Sequence, residues 1–127
     1  MTNYFYVFLL LTIFLVSGCS NQTSITAIAE TEPVATGGDA ADDPAIVLNY
    51  KNPAQSIILG TDKHAGVYSY TLSGKKISYS ALGEINNIDV RQSYNKIYMV
   101  ASNRSAQSIE FWTFDQQEFF KNILQSE

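Results

Sequence analysis

"LGTDKHAGVYSYTLS" (59–73) decides the fold, because it recurs as "VASNRSAQSIEFWTFD" (100–115) once one residue is inserted. Thr61-Asp62-Lys63 matches Ser102-Asn103-Arg104, an offset of 41 residues at the basic position. Val67-Tyr68-Ser69-Tyr70 matches Ile109-Glu110-Phe111-Trp112, an offset of 42. Each copy is a polar turn followed by side chains of alternating bulk, as in a strand with two different faces. A four-stranded unit repeating at roughly 40–50 residues is the period of a β-propeller blade. Two ordinary hairpins of similar composition are the alternative that spacing alone leaves open.

Outward from that repeat, "AIVLNY", "SIILG", "VYSYTL", "KISYSAL", "KIYMVAS" and "IEFWTF" are short runs rich in Ile, Val, Tyr and Phe. Gly, Asn, Ser, Asp or Pro bound them, and their spacing is about ten residues, so an all-β chain is expected from Ala45 onward. A helix is expected only in "QQEFFKNILQSE" at the end. Residues 20–36 are small and polar without a sustained period; they read as a tether that ends, at most, in a first strand.

The beginning of the chain has a different character. "YFYVFLLLTIFLVSGC" (4–19) carries an apolar run well short of the roughly 20 residues that span a bilayer, and it ends in small residues. Val16-Ser17-Gly18-Cys19 resembles a bacterial lipobox, which implies lipidation at Cys19. A buried apolar segment with a core thiol is the competing reading, and no Lys or Arg precedes the run. The expected division is a lipoprotein signal peptide over 1–18, a tether over 19–29 and a propeller-type domain over 30–127. The expected location is the bacterial cell envelope, lipid-anchored at the outer membrane on its periplasmic or surface side. With Cys19 as the only cysteine, the rest of the chain has neither disulfides nor thiol catalysis.

The 8 Lys and Arg and 12 Asp and Glu all follow that stretch, giving a net charge of −4. An acidic chain excludes nucleic acid as a partner, because neutralising phosphates takes a basic face. The acids concentrate early, at Glu30, Glu32, Asp39, Asp42 and Asp43. Three of them crowd "GGDAADDPA" (37–45), where like charges repel.

Equivalent positions in successive blades face one axis, so Lys63 and Arg104 are expected to converge on one channel mouth. An acid or amide pair precedes each: Asp42-Asp43, then Asn86-Asn87 with Asp89. Calcium takes six to eight oxygen ligands at flexible geometry, which Asp carboxylates, Asn carbonyls and a free carbonyl at Pro44 can supply. It would offer a phosphate ester charge neutralisation and a water of lowered pKa. Arg104 would grip phosphate bidentately and Lys63 as a point charge. A solvated acidic loop is the plainer reading, and the spacing does not match an EF-hand.

"TEPVATGGDAADDPAI" (31–46), "GTDKHAGVYSYTLSGK" (60–75), "INNIDVR" (85–91) and "ASNRS" (101–105) with "IEFW" (109–112) resemble, in order and spacing, the opening segments of the β-propeller phytases. The resemblance implies a six-bladed, calcium-dependent phosphomonoester hydrolase of the 3-phytase type, acting on phytate (myo-inositol hexakisphosphate). It implies calcium ligands at Asp39, Asp42, Asp43, Pro44, Asn86, Asn87 and the Ile88 carbonyl, with Asp89 nearby. It also implies phosphate binding by Lys63 and Arg104. Val47 stands where the family usually carries Trp, and Asn49 where His is common. The chain holds material for about two blades, so an incomplete propeller is expected, inactive by itself. The closing "QQEFFKNILQSE" leaves the resemblance.

Plainer readings stand for the rest. His64 is expected in a solvated turn. Tyr68, Tyr70, Tyr79, Tyr98, Phe111 and Trp112 are expected as packing between sheets. Ser73 and Ser105 lack the partners of a serine nucleophile. The other function class is a non-catalytic surface lipoprotein stabilised by calcium, or a degenerate remnant of the family. Lys63 and Arg104 separate the two classes, because a structural calcium site needs neither.

Overall fold

A computed structural model describes residues 24–125. The expected signal segment 1–18 and the expected lipidation site Cys19 lie outside the described residues. The strands are β1 (Ala41–Val47), β2 (Ile57–Asp62), β3 (Gly66–Tyr70), β4 (Lys76–Ala81), β5 (Ile85–Ser93), β6 (Lys96–Asn103) and β7 (Ser108–Asp115), followed by helix α1 (Gln116–Leu124). Two antiparallel sheets result, ordered β1-β2-β3-β4 and β5-β6-β7. The chain is all-β, with the architecture of two neighbouring propeller blades and no closed ring. Among the described residues the second sheet has three strands and is followed by the helix.

The repeat is physical. β1 and β5 both lose register against their partners at the same place, between Ala41 and Pro44 and between Ile85 and Ile88. Each bulge puts three steps of one strand against two of its neighbour and re-aims the side chains within it. The backbone repeats too: Lys63 N donates to Ala40 O and Arg104 N to Glu84 O, at 2.8 and 2.9 Å. β5 was absent from the runs of β-formers because Asn and Asp dilute it. Burial of Ile85 and Ile88 overrides that propensity.

The core lies between the sheets. Val47, Ile57, Leu59 and Val67 of the first meet Ile85, Ile88, Ile97, Met99 and Ala101 of the second, with Phe120 of α1. Asp115 starts α1 by accepting from the N–H groups of Gln117 and Glu118, the usual service of an N-cap carboxylate. Trp112, Phe114 and Phe119 pack against this core. Of the aromatics expected between the sheets only Trp112 joins it, because strand alternation turns Tyr68, Tyr70 and Tyr79 to the other face of the first sheet and leaves Phe111 64% exposed.

The same-register positions of the second sheet look outward. Leu59 and Val67 are 3% and 9% exposed, whereas Ile109 and Phe111 are 70% and 64% exposed. On the opposite face of the first sheet, Tyr68 stacks with Tyr70 and Tyr79 under an N-terminal strap. The strap forms no strand, contrary to the strand allowed at the end of the tether. It is held by Glu32 N to Gly74 O at 2.8 Å and by Ala35 N to the Tyr68 hydroxyl at 3.1 Å. Gly74 has φ +90° and meets the Glu30 carbonyl where a Cβ would stand, so no larger residue fits beneath the strap.

Candidate functional site

The site is built by the two bulges and the two turns that follow the second strand of each sheet. β1 lies beside β5, and side chains stitch them. The Asp43 carboxylate accepts the Ile88 N–H at 2.9 Å, and the Thr61 hydroxyl donates to Asn86 O at 2.9 Å. Pro44 and Ile88 hold equivalent places in the bulges. Proline has no N–H to offer there, while the Ile88 N–H takes a carboxylate from the neighbouring blade.

Lys63 and Arg104 do converge. One Arg104 terminal nitrogen donates to the Lys63 carbonyl at 2.8 Å, so the second cation rests on the backbone of the first. The Lys63 ammonium lies 2.8 Å from Asp39 and 3.5 Å from Asp42. Its side chain is 15% exposed, against 92% for Asp39 and 30% for Asp42. The hydrogen bond that the Lys63 ammonium donates to Asp39 raises Lys63 above the ordinary lysine value and holds Asp39 below the ordinary carboxylate value. The crowding of acids thus has a local answer: two of the three share one lysine, and the third turns to a backbone amide. His64 is exposed in the turn, as expected.

The amide residues sit on the second bulge. Asn86 Nδ2 donates to Asn87 Oδ1 at 3.0 Å, and Asn87 N donates to the Ser102 hydroxyl at 3.0 Å. Asp89 gives one oxygen to Val90 N and to Arg91, at 2.8 and 2.7 Å. Asp43, Asn87, Ile88 and Asp89 line one cleft of about 350 Å³ with Ser102. The structure therefore forms two groups, Asp39 and Asp42 around Lys63, and Asp43 with the amide bulge.

The sequence model of the family described as Phytase matches residues 8–127. A 3-phytase of Bacillus subtilis (strain 168) is 42% identical over 98 residues, which cover 72% of this chain and 26% of that protein. The chain belongs to the β-propeller phytase family. It corresponds to the N-terminal portion of that family and spans about a quarter of the length of this curated relative.

The phytase family brings calcium into question, and the donors can be tested for fit. All the residues concerned offer hard oxygens, the ligand type calcium takes. Their number falls short: among the described residues no three His, Cys, Asp or Glu side chains gather as a metal group. Lys63 already occupies the space between Asp39 and Asp42. These residues fit calcium in kind and do not complete a cage for it by themselves.

Asp62 is the residue that sequence reasoning passed over. It is fully buried, and both carboxylate oxygens lie 2.7 Å from the Thr36 hydroxyl. Its alignment with Asn103 in the repeat was the available signal, because both side chains brace the turn that carries a cation.

Proposed function

We propose that this chain forms one sector of the rim of a calcium-dependent phosphomonoester hydrolase acting on phytate, of the 3-phytase type. The observation that carries the reading is the contact of Arg104 with the Lys63 carbonyl, which brings the cationic side chain of one sheet onto the turn that carries the lysine of the other. Paired cations suit a polyanionic phosphate ester: Arg104 presents a fork for two oxygens and Lys63 a point charge. Phosphate oxygens would compete with Asp39 and Asp42 for the Lys63 ammonium, so this sector binds substrate best when those acids have other partners. Calcium, where bound, supplies charge neutralisation and a water of lowered pKa. Asp39, Asp42, Asp43, the carbonyls of Pro44 and Ile88, and the side chains of Asn86 and Asn87 would contribute oxygens to it, with the remaining donors coming from elsewhere in a complete ring.

The test is a chimera in which this sequence replaces the matched portion of the Bacillus subtilis 3-phytase. Orthophosphate release from phytate in calcium, lost on chelation, is the expected result. Arg104→Ala is expected to lower turnover by on the order of a hundredfold, as loss of a transition-state charge contact does, while calcium-dependent melting is unchanged. A folded chimera that releases no orthophosphate overturns the reading. Equal loss of turnover and calcium-dependent stability favours the non-catalytic, calcium-stabilised alternative.

We also infer export and lipid anchoring at Cys19 to the bacterial envelope, supported by Val16-Ser17-Gly18-Cys19 after the apolar run. Labelled palmitate incorporated by the chain and lost in Cys19→Ser is the expected outcome; equal labelling of both removes the inference.

A further inference from the structure

We propose that Asp62 is a positioning residue for the basic rim, its buried carboxylate clasping Thr36 on one side and the Lys63 turn on the other. The consequence for phosphate rests on the function proposed above; the positioning itself rests on geometry alone.

The Thr36 hydroxyl donates to this carboxylate, and His64 N donates to its Oδ1 at 2.9 Å. The turn is closed by Ala65 N to Asp62 O at 3.1 Å. Asp62 thereby shapes the turn whose next residue is Lys63. That turn in turn offers its Lys63 carbonyl to Arg104.

The other end of the clasp determines the acidic loop. Residues 36–40 run from Thr36 to Ala40, and Gly37 and Gly38 between them would meet nothing with an added Cβ. Gly38 takes the left-handed turn of the loop at φ +76°, and neither glycine has a side chain to anchor that turn on the sheet. The path is set by three pins: Thr36 on Asp62, Asp39 on the Lys63 ammonium, and Ala40 O on Lys63 N. All three end on adjacent residues, Asp62 and Lys63. A buried carboxylate is costly unless its donors are in place, so the clasp holds as a unit.

The repeat supplies a control. Asn103, at the equivalent place, accepts Ala106 N on its Oδ1 at 3.1 Å and donates to Leu82 O at 2.8 Å. An amide oxygen therefore serves this turn as a carboxylate oxygen does. The two copies differ in detail: Asp62 takes the amide two residues on and the Thr36 hydroxyl of the strap, whereas Asn103 takes the amide three residues on and donates to the Leu82 carbonyl and to Glu110.

The experiment compares the full chain with Asp62→Ala, Asp62→Asn and Thr36→Val by nitrogen-15 NMR. Expected in Asp62→Ala are displaced signals for the Lys63 amide and the Arg104 guanidinium, faster exchange of the Lys63 N–H, and inorganic phosphate binding weakened about tenfold, as misplaced binding groups cause. Asp62→Asn is expected to restore all of these toward the original chain. Thr36→Val, which leaves the turn untouched, is expected to move the same signals by less, and it decides the matter if Asp62→Ala does not fold. Unchanged Lys63 and Arg104 signals in a folded Asp62→Ala, or in Thr36→Val in its place, overturn the proposal. So does Asp62→Asn proving as damaging as Asp62→Ala. An original chain that binds no phosphate removes the phosphate reading, and the NMR comparison still decides the role of Asp62.

Discussion

The first sheet and the second share a bulge, a turn and a cation, yet they spend them differently. In the first, the bulge carries Asp42 and Asp43; Lys63 engages Asp42 together with Asp39 just before the strand, and Asp43 accepts from the Ile88 amide. In the second, the bulge carries amides that bond to each other and to Ser102. The first sheet buries one face on its neighbour and has its other face crossed by a strap; the second leaves Ile109 and Phe111 in water. What differs is thus the environment of each position. A repeat copies backbone geometry, while burial depends on what lies next to each copy.

The largest expected effect breaks the comparison at matched core positions. Leu59→Ala removes a side chain packed between the sheets and is expected to cost about 2–5 kcal/mol. Val100→Ala, at the same offset in the second sheet, is half-buried and is expected to cost less than about 1 kcal/mol. Denaturant unfolding of both variants measures the difference, and equal losses would mean that the outward face is covered in solution.

A smaller effect concerns the helix that follows β7. Asp115 caps α1 and also accepts from Asn95 Nδ2 at 2.6 Å. Asp115→Ala is expected to cost about 0.5–2 kcal/mol and to lower helical ellipticity. A loss of stability without loss of helix would assign the effect to the Asn95 contact instead.

The smallest effect sharpens the contrast between acid and amide bulges through pH. Asp39 titrates below its ordinary value of 3.8, so its contribution is present above that value and fades as pH falls through the lowered one. Lys63 titrates above its ordinary value of 10.5, so its contribution is present below that value and fades as pH rises through the raised one. The stability difference between the original chain and Lys63→Met is therefore expected to be flat across neutral pH and to shrink at both extremes. Asp39 is 92% exposed and the pair is screened from its side, so the plateau is expected to be shallow. A difference that is constant from acid to alkaline pH would dissociate Lys63 from the acids.

Much of this was legible beforehand. Runs of β-formers marked the strands other than β5, although β1 begins at Ala41, inside the acidic stretch read as a loop, and stops at Val47. The register of Lys63 with Arg104 foretold that the Arg104 side chain reaches the Lys63 turn. β5 was hidden because "INNIDVRQS" is written in residues that avoid strands, and only packing of Ile85 and Ile88 makes it one. The bulges were invisible for a different reason: a register shift exists only between two strands.

By itself the sequence determined the all-β character, the repeat and its period, the helix at the end and the residue types gathered around the two turns. These follow from local periodicity and from chemistry carried by single side chains. Tertiary structure alone decided which acid meets Lys63, which turns to the Ile88 amide, and that Asp62 is sealed beneath Thr36. Those outcomes depend on distances between residues far apart in the chain, and only the packing of one sheet against the other sets such distances.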